Sequence, residues 1–199
     1  MDYQKIMSFV KEKTLNNGRW NFPFRSRYNH TLRVMKWAER LQKLEGGDIE
    51  IIKLACLFHD VGWDEKIEHN ILSRDIADKY LSDIKYDSLK KEKVLEAIEY
   101  HCLRDEKRPL SIESLVVMDA DILDEVGAVT IIWDAMASTY EDQPSYVKAY
   151  ERIKKYFSGI KEKQSKLKTT TGKKLYIERV KIIDAFIREL EYELFLTIN

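Results

Sequence analysis

Glycine and proline are scarce, with 7 and 3 residues in a chain of 199. An all-β fold needs turns at short intervals, and this supply is too small for one. Cysteine is limited to Cys56 and Cys102. Each sits in an apolar helical pattern, so both read as small core residues of a chain kept in a reducing compartment, not as a disulfide. Charge of one sign is not in excess, because Lys plus Arg and Asp plus Glu both total 34. That balance removes broad electrostatic capture of nucleic acid polymers or anionic membranes and still allows a local phosphate pocket. No long hydrophobic run exists. The stretch Val126 to Trp133 is the longest, is interrupted by Gly127 and Thr130, and falls far short of the ~20 residues of a spanning helix. The first ten residues contain Asp2, Gln4 and Lys5 and show no signal-peptide core. The expected localisation is cytoplasmic and soluble.

Several site classes are missing as well. Gly172-Lys173-Lys174 lacks the upstream glycine and the following hydroxyl of a Walker loop. There is no strand-glycine-helix dinucleotide fingerprint, no serine in a nucleophile elbow, and no Cys-x-x-Cys pair for structural zinc.

What is present is helical periodicity. Apolar residues make up 44% and charged residues 34%, enough to close one core over this length. Residues 2–15 read as a first helix carrying Ile6, Phe9 and Val10, stopped by Asn16, Asn17 and Gly18. An irregular aromatic stretch follows, from Arg19 to Tyr28. Its Trp20, Phe22, Phe24 and Tyr28 read as core, with the floor of a base-stacking pocket as the sharper alternative. From His30, apolar residues recur at three- and four-residue steps through Leu44, up to Gly46 and Gly47. Asp48 then caps a helix over Ile49 to about Val61. Further helices are expected over about 68–82 and 89–103, and a long one capped by Ser111 to about 137, which Gly127 either bends or lets pack closely. Two more cover 145–157 and 174–197. Ser158 to Lys174, rich in Lys, Thr and Gly, reads as a solvated loop, or as a lid over an anionic substrate. The expected fold is all-α, one helical domain over 1–199, with a core at about 20–140 and C-terminal helices at 145–197 packed on it.

The histidines are four: His30, His59, His69 and His101. Each falls on the apolar stripe of its expected helix. One inward histidine is ordinarily a satisfied core residue. Four together point further, because imidazole is costly to bury without a partner and is the commonest metal ligand. His59-Asp60 stands at a helix end after the apolar run Leu54 to Phe58, where a carboxylate needs a cation or a strong donor. In Met118-Asp119-Ala120-Asp121-Ile122-Leu123-Asp124, Asp121 shares the buried side of Val117 and Met118. Asp124 and Glu125 read equally well as solvated.

A lone His in one helix, a His-Asp doublet ending the next and a distal Asp form a pattern that resembles the HD-domain superfamily. The elements are His30 in Arg27-Tyr28-Asn29-His30, His59-Asp60 in Phe58-His59-Asp60-Val61-Gly62, and Asp121 in Asp-Ala-Asp-x-Leu-Asp. The Asp-Ala-Asp segment, His101-Cys102 and Thr171-Gly172 are similar to a subgroup of small bacterial members, so the resemblance spans about residues 20–197. It implies an HD-type helical bundle with metal-dependent phosphohydrolase activity, commonly on nucleotides. It also implies a divalent ion (Mn, Fe, Ni, Co or Mg) held by His30, His59, Asp60 and Asp121. Asp119 would orient a ligand or contact substrate. Around that set we expect Asp64 or Glu65, with His101, to handle protons. Arg27, Lys66 and His69 are expected to contact a phosphorylated substrate, and His69 and His101 offer ligands for a second ion. Arg27 reads equally as a surface arginine. The competing functional reading is an HD-fold module that senses a nucleotide without turnover. A homodimer is an open expectation.

Overall fold

The computed structural model describes residues 2–105, 107–141 and 143–195. The described residues contain nine α-helices and no strand, so the all-α expectation holds. The helices are α1 Tyr3–Asn16, α2 Arg27–Glu45, α3 Ile49–Phe58, α4 His69–Asp83, α5 Ser88–Tyr100, α6 Ile112–Asp124, α7 Ala128–Ser138, α8 Tyr146–Lys163 and α9 Thr170–Phe195. Most start where a short polar side chain accepts a backbone N–H of the first turn. Asp2, Ser26, Asp48, Asp87, Ser111 and Ser145 do this for α1, α2, α3, α5, α6 and α8.

The core is built around α3. Ile51, Ile52 and every residue from Leu54 to Phe58 are buried, and a helix apolar on all sides must be surrounded. It packs against α1, α2, α4, α5 and α6. The α2–α6 pair is the most extensive contact in the fold. These packings bring the start of α2, the end of α3 and the end of α6 together, and with them His30, His59 and Asp121.

Two expected elements differ from the structure. The long helix over 111–137 is two helices, because Gly127 adopts φ +101° between α6 and α7. An L side chain is strained at that angle. A Cβ there would also lie 2.7 Å from the Arg179 guanidinium, which donates from Nε to the Val126 carbonyl. The expected loop over 158–174 is largely helical. Residues 158–163 complete α8, a 3-10 turn covers Gln164–Lys166, and α9 begins at Thr170. The lysines here are engaged with the fold: Lys163 pairs with Glu125, Lys166 with Asp105, and Lys168 Nζ donates to the Arg104 carbonyl. The segment is a strap packed on the fold rather than a solvated loop. The C-terminal helix was expected to reach residue 197, and its last two residues lie outside the described chain.

The aromatic stretch before α2 is not core. Trp20 is 75% exposed, and Phe22 packs among Trp20, Phe24, Trp133 and Tyr140 across α7. Tyr28 packs against the main core. Both cysteines are free thiols, Cys56 buried and Cys102 half-buried. Among the described residues no helix is long and apolar enough to cross a membrane.

Candidate metal centre

His30, one turn into α2, is 4% exposed, and His59 at the C-terminal end of α3 is 1% exposed. One ligand-capable atom each from His30, His59 and Asp121 lie within 4.8 Å of one another. His59 Nδ1 stands 2.7 Å from the Cys56 carbonyl. A carbonyl only accepts, so Nδ1 carries the hydrogen and the neutral ring has its lone pair on Nε2. That Nε2 faces His30 Nε2 at 3.3 Å. His30 bridges two carboxylates, with Nδ1 2.7 Å from Asp124 Oδ2 and Nε2 3.3 Å from Asp121 Oδ1. Burial would lower the His30 pKa, but the hydrogen bonds to Asp121 and Asp124 outweigh it and push the pKa up to about 9. The imidazolium therefore holds a proton between an imidazole lone pair and a carboxylate oxygen. This donor set, two nitrogens and one oxygen, could hold a cation in place of that proton. The mixed set suits a divalent ion of intermediate hardness.

The carboxylates around this cluster are neutralised by arginines. Asp60 accepts from Arg27 at 2.9 Å and from Arg19 at 3.2 Å. Burial favours its neutral form, yet His59, Arg27, His30 and Arg19 hold it well below the usual carboxylate range. Asp121 Oδ2 is 2.5 Å from an Arg104 nitrogen. Asp124 takes a two-pronged bond from Arg33, at 2.8 Å on each oxygen. Burial would raise Asp124 too, and its bonds to His30 and Arg33 bring it below the ordinary value instead.

A second group adjoins the first. His69, His101 and Cys102 each place a ligand-capable atom within 4.8 Å of the others, and the His59 and His101 rings meet edge-on at 5.0 Å between centroids. His101 Nδ1 donates to the Ile98 carbonyl at 2.7 Å, which leaves Nε2 to accept from His69 Nε2 at 3.2 Å. Burial, aided by His59, pulls His101 down to about 4, so it is a neutral imidazole near pH 7. Burial lowers His69 as well.

The expected site residues thus fall into three sets. His30, His59 and Asp121 come together directly. Asp60, Arg27, His69 and His101 adjoin that cluster: Arg27 pairs with Asp60, Asp60 Oδ1 is 3.9 Å from His69 Nε2, and the His101 ring meets that of His59. Asp64, Glu65 and Lys66 are exposed on the turn before α4, where Asp64 accepts the Lys66 N–H at 2.8 Å. No described contact joins these three to the histidines. Asp119, next door on α6, has no described hydrogen bond to the cluster histidines. It is fully buried and accepts from the Lys168 and Thr169 N–H groups at 2.8 and 2.7 Å, and from the Thr169 hydroxyl at 2.7 Å. It anchors the strap. The sequence reading missed Arg19, Arg33, Arg104 and Cys102. Only the placement of Arg33 on the His30 face, three residues on, carried a signal.

An all-α protein with imidazoles and carboxylates converging from three helices belongs to the metal-site helical proteins. Comparison with known proteins makes this specific. The HD domain family model matches residues 27–125, a span that begins at Arg27 and includes the doublet and Asp121. The chain belongs to the HD-domain superfamily. It is 28% identical over 174 residues to YpgQ of Bacillus subtilis, covering 84% of this chain and 83% of that one. The crystal structure of YpgQ in complex with ADP is similar at 26% identity and a TM-score of 0.70, over 96% of this chain and 93% of that one. An HD-superfamily hydrolase from Bacillus thuringiensis shares the fold at a TM-score of 0.74 and 23% identity, over 96% of this chain and 95% of that one.

Proposed function

We propose that the protein is a metal-dependent phosphohydrolase that cleaves a nucleotide or a small phosphate ester. The observation that carries this is the buried His30, His59 and Asp121 cluster, ringed by the guanidinium groups of Arg19, Arg27 and Arg104. Buried cation ligands beside several planar cations fit an anionic, oxygen-rich substrate. The YpgQ structure solved with ADP supports a nucleotide.

In this reading His30, His59 and Asp121 hold the ion, and Asp60 joins them. A divalent ion bound there supplies Lewis acidity toward a phosphoryl oxygen and acidifies water. The protein's own groups do the rest. Arg19 and Arg27, paired with Asp60 in the structure, turn toward the phosphate oxygens. Arg104 holds Asp121 from the opposite side. His69 Nε2–H, which donates to His101 Nε2 in the structure, would turn to the substrate and so free the neutral His101 Nε2 to accept a proton. Asp124 fixes the His30 ring through Nδ1, the arrangement that orients a ligating imidazole.

The test is to measure bound metal in the purified protein and phosphate release from nucleoside mono-, di- and triphosphates with Mn²⁺ added. His59→Ala and Asp121→Ala should lose the metal and the activity while staying helical. A wild-type protein that binds no divalent ion refutes the reading. The exposure of Asp64 and Glu65 favours a second reading, a nucleotide sensor without turnover. It predicts nucleotide-dependent thermal stabilisation with no product formed.

A further inference from the structure

We propose that the groove between α7 and α8 is the nucleobase end of the substrate site, and that Asp134, held by Arg152, decides which ligands enter it. This rests on the hydrolase reading only for the phosphate end. The groove is a cavity of about 390 Å³, within the range of small-molecule sites. At one end it is lined by His30, Asp124 and Lys163, and at the other by Trp133, Asp134 and Arg152. The two helices run antiparallel, since Lys163 pairs with Glu125 and Arg152 with Asp134. Eleven residues of α8 separate Lys163 from Arg152, roughly 16 Å at 1.5 Å per residue. A nucleotide is long enough to reach from the His30 end into the far end.

The far end is shaped for a flat ring with polar edges. The Arg152 guanidinium lies over Trp133 at 5.3 Å and over Tyr156 at 4.8 Å from the ring centroids. The Arg25 guanidinium also lies 5.5 Å from the Trp133 centroid. Planar cations and aromatic rings together form a stacking surface. Trp133 Nε1 is buried and has no hydrogen-bond partner, a donor that calls for an acceptor. Asp134 is 3% exposed and accepts from Arg152 Nε at 3.2 Å, and a carboxylate has more acceptor sites than this one bond fills. Adjacent groove-lining residues thus hold, just beneath the surface, one donor and one acceptor with capacity to spare, which a ligand edge entering between the side chains would engage. A nucleobase edge carries the complementary pair, and an unmodified sugar phosphate has no flat face to stack.

The deciding experiment is calorimetric titration of the Mn²⁺-supplemented full chain with AMP, GMP and ribose 5-phosphate, for wild type, Asp134→Asn and Trp133→Phe. In wild type, at least one nucleotide should bind tenfold or more tightly than ribose 5-phosphate. Asp134→Asn should collapse that ratio toward one. Trp133→Phe keeps the stacking ring, removes the N–H, and should lower the ratio several-fold. It carries the test if Asp134→Asn fails to fold. Equal binding of all three ligands, no binding at all, or ratios unchanged in the folded variants overturn the proposal and leave Asp134–Arg152 a structural ion pair. Phosphate release is scored separately. A base preference without turnover sinks the hydrolase reading and leaves the pocket standing.

Discussion

Gly62 closes the turn that carries His59 and Asp60, and replacing it with alanine tests how tightly that turn is held. Its N–H donates to Ser73 Oγ at 2.9 Å. A Cβ at residue 62 would meet the Ser73 nitrogen at 2.7 Å, the Leu72 carbonyl carbon at 2.8 Å and Leu72 Cγ at 2.9 Å. Two of these atoms are backbone of α4, which a rotamer change cannot move. α4 is pinned in turn, because Asn70 Nδ2 donates to the Glu99 carbonyl of α5 at 2.7 Å. Overpacking of this kind costs about 1–3 kcal/mol, and contact with backbone places Gly62→Ala near the upper end. For a chain of this size each kcal/mol moves Tm by about 2–4 °C, so a fall of roughly 6–12 °C is expected. Shifting α4 also moves His69 relative to His101, so bound metal should fall too. Gly159→Ala is the paired control. It lies inside α8, and its Cβ would have nothing within 4 Å. It should gain about 0.5–1 kcal/mol from helix propensity and raise Tm by roughly 1–4 °C. Thermal unfolding followed by circular dichroism, with chelator present to remove metal effects, reads both. A Gly62→Ala protein as stable as wild type, or shifts of the same sign in both variants, refutes the packing argument.

Asp124→Asn removes the charge that orients His30 through Nδ1 and pairs with Arg33. Metal affinity, measured by competition with a chromophoric chelator, should drop about 10- to 100-fold, and an unchanged affinity would show that Asp124 does not position His30. Mn²⁺ at a hundredfold excess over its Kd should stabilise the fold by about 2.7 kcal/mol, and chelation should reverse this. A Tm indifferent to both contradicts a native-state metal site. Asp134 titrates at about 6 because burial outweighs the pull of Arg152. Its folded pKa lies above its unfolded value, so its contribution is present below about pH 4 and is lost as pH rises through about 6, up to about 3 kcal/mol. Urea unfolding of wild type should show this loss between pH 4 and 7, and Asp134→Asn should flatten it. Parallel curves would disprove the assignment.

Much of this was legible in sequence because it depends on local pattern. The run Leu54 to Phe58 is apolar in every direction, and such a run has to be buried. Asp48 and Ser111 are short acceptors at the right offset to cap, and they do cap. Histidines on apolar stripes end up buried, His69 least so. What escaped depends on partners far along the chain. Gly127 breaks the helix because Arg179, 52 residues on, fills the space beside it. Residues 158–163 are helical because α8 continues to pack on α7 and α9, which outweighs a loop-like composition. Asp119 looks like a ligand by its neighbours in sequence, yet its partners are the backbone of Lys168 and Thr169. Arg19 and Arg104 lie in irregular stretches, where periodicity gives no direction to a side chain.

The arginines are how a chain with no net charge could, in the proposed reading, receive an anion. Asp60, Asp121 and Asp124 are all under 8% exposed, and a buried carboxylate without a partner is costly. The fold meets that cost with Arg19 and Arg27 on Asp60, Arg104 on Asp121, and Arg33 with His30 on Asp124. Three negative charges thus face four guanidinium groups and one imidazolium. In the proposed reading His30, His59 and Asp121 would hold a divalent ion where His30 now carries a proton, and the site would gain one further positive charge. The excess cannot be relieved by the protein's own carboxylates, because those within reach are already engaged. A phosphate carrying its own negative charges is the group that restores the balance. The arginines that keep the buried carboxylates tolerable would then be the ones released to hold substrate, so ion and anion would assist each other's binding through the same side chains.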